Sequence, residues 1–386
     1  MALPPLNPIP TTEAHDSITF GDDDVIKKND IAVFLRDMMI LPMKDKTNAT
    51  TMEGPRRTLQ SSCEIGTLNE LSINGRHIKV NTEDLKKEAE LVHAEGGFGT
   101  VALYKYHEDS LVIKFALIGK ESALEKEIMN YRKAGPCPFI VQYYGHVLAT
   151  GPLGYEQIGM CMEAMEGPIL RLVEIGLRME QPTLESVVAV AAYSILGAVD
   201  HLESKNIIHR DICWRNVLVS RRGDIKLADL GVSRECSFLS VSMSRTPTKE
   251  GQKPPEQLQP NPDRHASVQS DIWGMGLVLR FLATCEPHKY MPLAENDERY
   301  YLLGEEYDRL SVHLRNYINA CLGMSKDARL EIAALKKMPF YGHCSDLDVL
   351  VEGRSTIENM FDFDTFHVPF KVNRKTEIPY AGMLTR

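Results

Sequence analysis

Eight cysteines occur in this chain, yet no two form a Cys-x-x-Cys pair; they stand at positions 63, 137, 161, 213, 236, 285, 321 and 344. That scatter argues against a zinc site or a disulfide framework and fits a reducing intracellular compartment. No uninterrupted apolar run reads as long enough to span a bilayer. The opening MALPPLNPIP lacks the basic region and apolar core of a secretory signal. A cationic surplus is missing too: 44 Lys and Arg face 53 Asp and Glu, a net charge of −9 that disfavours nucleic acid as a direct partner. Apolar residues are sparse over residues 1–65, where prolines, the run Asp22-Asp23-Asp24 and a Ser/Thr-rich stretch between Thr47 and Ser62 predict a disordered regulatory extension. Within it only residues 31–41 carry a helical stripe, formed by Ile31, Phe34, Leu35, Met38 and Met39.

Beyond that extension the chain is ordinary globular material, 43% apolar over 386 residues. Strand patterns begin near Ile78 and continue through Leu91-Val92, residues 101–106, residues 111–115, residues 141–144 and residues 160–162. One helix interrupts them over about residues 122–134, with Leu124, Ile128 and Tyr131 as its stripe and Ser122 and Glu125 as a capping box. The expectation is a small lobe of five antiparallel strands and one helix. After Gly167 the pattern turns helical. Thr183 is placed to cap an apolar helix reaching about Ser204, and helical patterns run again from Asp271 to about Lys337. The segment from Gly342 onward reads as mixed.

The chemistry concentrates in His209-Arg210-Asp211, Asn216 and Asp229-Leu230-Gly231. One carboxylate to orient a hydroxyl and accept its proton (Asp211), with an amide and a carboxylate to hold Mg²⁺ (Asn216, Asp229), suffice for phosphoryl transfer. Upstream, Gly96-Gly97-Phe98-Gly99 turns a hairpin whose N–H groups suit phosphates. Lys114 ends a strand of buried type and therefore needs an anionic partner. Glu125 and Glu127 compete for that place. Asp271 reads either as an anchor beneath the catalytic loop or as a helix cap, and the two are compatible.

Together these motifs resemble a protein kinase, and more closely the dual-specificity mitogen-activated protein kinase kinases. The closer likeness lies in LSINGRHIKVNTEDL, Gly135-Pro136-Cys137-Pro138-Phe139-Ile140-Val141, Cys161-Met162-Glu163-Ala164-Met165 and Asp229-Leu230-Gly231-Val232-Ser233. It covers about residues 70–341. The resemblance implies an α+β bilobal fold, with a small β lobe at about 70–165, a larger helical lobe at about 166–341, and a tail at 342–386. It implies ATP and Mg²⁺ as cofactors. The nucleotide would be held by Ala94, Gly96, Gly97, Phe98, Gly99, Val101, Val112, Lys114, Met162, Glu163, Met165 and Leu218. Family spacing selects Glu127 as the partner of Lys114.

It further implies phosphorylation at Ser240 and Ser244 by an upstream kinase, with Arg210 gripping the phosphate, and a Glu256–Arg329 pair below. The substrate would be a mitogen-activated protein kinase, and the compartment the cytoplasm or nucleus. Lys27 to Val33 fits a docking peptide for such a substrate; Asp346 to Val349 is too poor a match to the family's upstream docking site to be given that role. Departures are Ala94 for glycine, Cys213 where a lysine touches the transferred phosphate, Leu230 for phenylalanine, and Lys249 to Lys253 in the substrate-gripping segment. Arg215 stands where tyrosine kinases keep an arginine doing related work. Those departures leave a second reading, a nucleotide-binding pseudokinase scaffold. A small-molecule phosphotransferase fits less well, given Arg210 and the Ser-rich loop.

Overall fold

A computed structural model describes residues 68–93, 99–116, 119–151, 154, 156–179, 183–235, 254–258, 267–285, 309–323 and 325–367. Two lobes follow one another along it. The first is a seven-stranded antiparallel sheet with spatial order β2-β1-β6-β7-β5-β4-β3. Its strands are β1 (Glu70–Ile73), β2 (Arg76–Lys79), β3 (Lys86–His93), β4 (Thr100–Tyr106), β5 (Asp109–Phe115), β6 (Tyr143–Thr150) and β7 (Glu156–Glu163). Alternation in β4, TVALYKY, sends Ala102, Tyr104 and Tyr106 inward, where they meet Leu111, Ile113, Phe115, Val147 and Cys161. The expected five strands are thus seven. The strand signal near Ile78 falls on β2, and β1, only four residues long, pairs with it to form a hairpin at the sheet edge.

Helix α1 (Glu121–Ala134) buries Leu124, Glu127, Ile128 and Tyr131. Its expected capping box does not form: Lys120 is the cap residue, and the Glu121 carboxylate accepts the Gly119 N–H at 3.1 Å instead.

The second lobe opens with β8 (Gly167–Pro168), α2 (Leu170–Arg178) and α3 (Glu185–Ser204). Helix α3 starts one residue later than a Thr183 cap requires, and Leu184 stands at that position. By length and composition alone α3 is long and apolar enough to cross a membrane, but 72% of its most apolar window is buried, as in the core helix of a globular lobe. Short strands β9 (Ile207–Ile208), β10 (Val217–Val219), β11 (Ile225–Leu227) and β12 (Arg234–Glu235) frame the loops that carry the chemistry. Then come α4 (Pro255–Leu258), α5 (Val268–Thr284), α6 (Val312–Cys321), α7 (Ile332–Leu335), α8 (Pro339–Cys344) and α9 (Leu347–His367).

The mixed tail is therefore mostly helix. Helix α9 buries Ile357, Met360 and Phe361, and Asp364 accepts hydrogen-bonded ion pairs from Arg171 (3.1 Å) and Arg178 (2.8 Å) of α2. Asp346 closes its N-terminus by accepting the Asp348 N–H at 2.9 Å. Truncation after Asp346 removes α9 and is expected to expose the apolar surface that those three side chains cover, lowering stability by several kcal/mol. A melting temperature unchanged from the full chain would show that α9 is merely appended.

Candidate active site

Lys114 lies on β5 with 6% of its surface exposed, and Glu127 on α1 is 2% exposed. The lysine Nζ donates to both glutamate oxygens, at 2.9 and 2.7 Å, and stands 3.5 Å from Asp229 Oδ1. Glu127 is thus the partner, and Glu125 is not. Burial works to lower the Lys114 pKa, but the Glu127 and Asp229 charges outweigh it and hold the ammonium above its ordinary value. Burial lifts Glu127 to about 7 against the pull of Lys114. For Asp229 burial also pushes upward, yet Lys114 and the Gly231 N–H hold the carboxyl below its ordinary value. The strand of Lys114 is buried from Leu111 to Phe115, so this lysine is part of the core and not a peripheral residue.

Asp229 is built to carry that carboxylate. Its backbone is left-handed, φ 63°. Its own Oδ1 accepts the Gly231 N–H at 3.1 Å. A Cβ on Gly231 would stand 2.9 Å from that oxygen and 3.2 Å from Glu127 Oε2, so only glycine leaves the cluster room. Leu230, the departure from phenylalanine, is fully buried.

The catalytic loop is fastened from two sides. Asp271 accepts the backbone N–H groups of His209 and Arg210, both at 2.8 Å. It is therefore the anchor, while Ser267 and Ser270 form the cap of α5. The His209 ring meets the Ala228 carbonyl at 2.9 Å. Asn216 Nδ2 donates to the Asp211 carbonyl (2.8 Å) and to Asp211 Oδ2 (2.9 Å). The Asn216 carbonyl takes the Ala228 N–H at 2.7 Å, which puts Asn216 beside Asp229. Arg210 (φ 75°) donates to the Val232 carbonyl at 3.2 Å. Below, Arg329 grips Glu256 with two bonds of 2.7 Å and lies 4.8 Å over the Trp273 ring.

Sheet register assembles the expected nucleotide walls. Val101 pairs with Lys114 across β4–β5, and Val112 with Met162 across β5–β7. Gly99 sits where a Cβ would collide with the Phe115 carbonyl, at φ 133°. Glu163, the last residue of β7, and Met165 just past it are half-buried, and Leu218 on β10 pairs with Lys226. The sequence reading missed Lys226, whose Nζ donates to Glu163 at 2.6 and 2.7 Å. A lone polar residue in Ile225-Lys226-Leu227 was the available signal. Missed as well were Asn130 and Tyr131, which touch the loop after Asp229.

Cys213, a departure from the resembled pattern, is 6% exposed, and burial pushes its thiol up to about 12, so it offers no charge. Arg215 is exposed. Ala94, Gly96, Gly97, Phe98, Ser240, Ser244, Lys249 to Lys253 and the peptide Lys27 to Val33 lie outside the described residues.

Comparison with known proteins agrees with this arrangement. The chain is similar to the dual specificity mitogen-activated protein kinase kinases sek-1 and mek-1 of Caenorhabditis elegans. Identities are 24% over 308 residues (75% of this chain, 87% of sek-1) and 26% over 298 residues (73% and 80%). With the dual specificity mitogen-activated protein kinase kinase dSOR1 of Drosophila melanogaster it shares 34% identity over 207 residues, 52% of this chain and 48% of the relative. The protein kinase domain family matches residues 94–341, more than half of the 386 residues. By that match, the chain belongs to the protein kinase family.

Proposed function

We propose that this is an active, ATP- and Mg²⁺-dependent kinase of mitogen-activated protein kinase kinase type. Its protein kinase domain would span residues 70–341. The observation carrying the reading is the buried cluster of Lys114, Glu127 and Asp229, one ammonium between two carboxylates.

The donor set fits a hard divalent cation bound with phosphates. Asp229 supplies a carboxylate kept ionised, and Asn216 an amide oxygen left over once its Nδ2 has bonded Asp211. Among the described residues no group of three His, Cys, Asp or Glu could hold a metal. Two protein ligands suit an ion that completes its shell with phosphate and water. When bound, Mg-ATP supplies the transferable phosphoryl group with its charge partly neutralised. Lys114, fixed by Glu127, offers a cation to the nucleotide phosphates. Asp211, with one oxygen held by Asn216, orients a substrate hydroxyl and accepts its proton at the other. Val101, Val112, Met162, Glu163, Met165 and Leu218 line the space for the base.

The relatives' names supply the substrate class, a mitogen-activated protein kinase; its phosphorylation on Thr and Tyr, in the cytoplasm or nucleus, is what the family resemblance implies. An upstream kinase would act on Ser240 and Ser244, with Arg210 receiving a phosphate. Mass spectrometry of a catalytically dead mitogen-activated protein kinase, incubated with Mg-ATP and this chain bearing S240D and S244D, tests the assignment. Phosphothreonine and phosphotyrosine on one loop are expected; nucleotide binding with no modification supports the scaffold reading, which the uncharged Cys213 favours. Arg215, though exposed, stands in for the missing lysine. Cys213→Lys must bury or redirect an ammonium, so it is expected to cost stability without raising turnover, measured as melting temperature and initial rate.

Acidity gives a further check. Glu127 must be ionised to hold Lys114, so activity is expected to fall as pH drops through about 7. Stability runs the other way: with the folded value above the ordinary 4.5, the native state gains protons between 4.5 and 7, and this contribution is lost as pH rises through that window. Glu127→Gln should flatten both profiles. A wild-type activity profile flat from pH 6 to 8 would contradict this role.

A further inference from the structure

Helix α9 grips the second lobe at two separate places, and both border the space assigned above to the nucleotide base. Near its C-terminal end, Asp364 is 9% exposed and takes one arginine of α2 on each carboxylate oxygen, Arg178 at 2.8 Å and Arg171 at 3.1 Å. Arg171 also lies 5.7 Å over the Phe361 ring and 3.5 Å from the carbonyl oxygen of Glu166, the residue after Met165. The second grip is on the turn between β10 and β11. There Asp362 takes Arg221 at 2.7 Å, and Arg354 stands 3.4 Å from Asp224. A Cβ on Gly223 would come within 2.6 Å of the Arg354 Cα, so turn and helix meet backbone against backbone.

A small sheet joins the two grips. Strand β10 pairs with β8 on one side and β11 on the other. The Glu166 N–H donates to the Val219 carbonyl at 2.9 Å, and the Ile169 N–H to the Val217 carbonyl at 2.7 Å. Alternation along β10 buries Val217 and Val219 and leaves Leu218 half-buried on the opposite face. On β11, Lys226 holds Glu163. Three of the expected base walls, Glu163, Met165 and Leu218, thus hang on a sheet that α9 holds from both ends.

We propose that Asp364 and Arg171 are positioning residues for nucleotide binding, and that α9 acts as a clasp fixing the separation between residues 163–166 and Leu218. The inference rests on the kinase reading above and extends it to a helix beyond residues 94–341, the span of the family match. Loosening the clasp opens the sheet and takes the floor from beneath the base. The cluster of Lys114, Glu127 and Asp229 is held by other contacts, so phosphate and metal binding stay as they were.

The test compares full-length wild type, Asp364→Asn and Arg171→Ala. Lys336→Met serves as control, since it breaks an exposed pair with Asp200 that touches neither grip. In ligand-free protein, hydrogen exchange at the Glu166 and Ile169 amides should be about fivefold faster in both variants, the size of one lost hydrogen bond. Adenosine, competing with a fluorescent ADP analogue, should bind about fivefold more weakly to both. The Mg²⁺ concentration giving half-maximal binding of the ADP analogue should stay within about twofold of wild type, because the metal end of the site is untouched. Lys336→Met should change none of these. Adenosine affinity within twofold of wild type in both variants overturns the proposal, as does a shifted Mg²⁺ midpoint, which would mark a general loosening of the fold. Should Asp364→Asn fail to fold, Arg171→Ala decides alone, because Arg178 still pairs Asp364 there and the Arg171 side chain is over a third exposed. If wild type binds neither ADP nor adenosine, the kinase reading fails, and exchange at Glu166 and Ile169 still decides whether α9 holds this sheet.

Discussion

Replacing Lys114 with Met is expected to lower phosphotransfer by about 10²–10³-fold, the usual loss when one preorganised charge aimed at the reacting group is removed. The side chain would keep much of its length and lose its cation. Asp229 loses the charge that keeps its carboxyl ionised, and Glu127 is left buried without a partner. Breaking a buried pair costs roughly 3–5 kcal/mol where the remaining charge cannot neutralise itself. Glu127 already stands near 7 and can take up a proton, so the stability loss is expected at the lower end of that range. Initial rates and thermal melts on one preparation separate the two effects. A rate within tenfold of wild type would remove Lys114 from the chemistry.

Arg329→Ala is expected to be the most damaging change to stability. The guanidinium is 3% exposed, grips both oxygens of Glu256, donates to the Gly323 and Gln269 carbonyls, and lies over Trp273. Alanine strands a carboxylate and two carbonyls at one stroke. The predicted loss is about 3–5 kcal/mol, a fall in melting temperature on the order of 10 °C. Glu256→Gln keeps the hydrogen-bonding shape and should lose much less. A loss under about 1 kcal/mol for Arg329→Ala would mean that solvent reaches this pair after all.

The chemistry was legible in the sequence because phosphoryl transfer restricts residue types at fixed spacings. Asp211, Asn216 and Asp229 could be named before any coordinates, whereas Lys114 could be matched to Glu127 over Glu125 only through the spacing that the family resemblance implies. The polar seat of α1 could not. Asn130 looked like one more solvated helix residue and Tyr131 like part of an apolar stripe, since periodicity reports which face is inward and not what that face touches. Helix α9 was hidden for a related reason. Its anchors are charged, Asp364 to α2 and Asp362 to Arg221, and its closest approach to α3 runs through Gly353, whose Cβ would strike the Ser186 carbonyl. None of these raises an apolar signal. Caps failed at Ser122 and Thr183 because a shift of one or two residues in a helix start moves the cap, and boundaries are the least determined feature of a pattern.

Cys213 shows the opposite limit. Its position marked a departure from the kinase pattern, but only burial shows that it is a packed neutral thiol with no charge to lend. On the proposed reading, catalysis would then depend more heavily on the cluster around Asp229, which the metal and the lysine would share.

That dependence can be measured in one assay. Purified full-length protein carrying S240D and S244D is incubated with Mg²⁺ and γ-labelled ATP beside a catalytically dead mitogen-activated protein kinase, with and without the further change Asp229→Ala. Label reaching the substrate in the first case and falling by at least about a hundredfold in the second is the predicted result. Equal labelling in both, or none in either while nucleotide still binds, would contradict it.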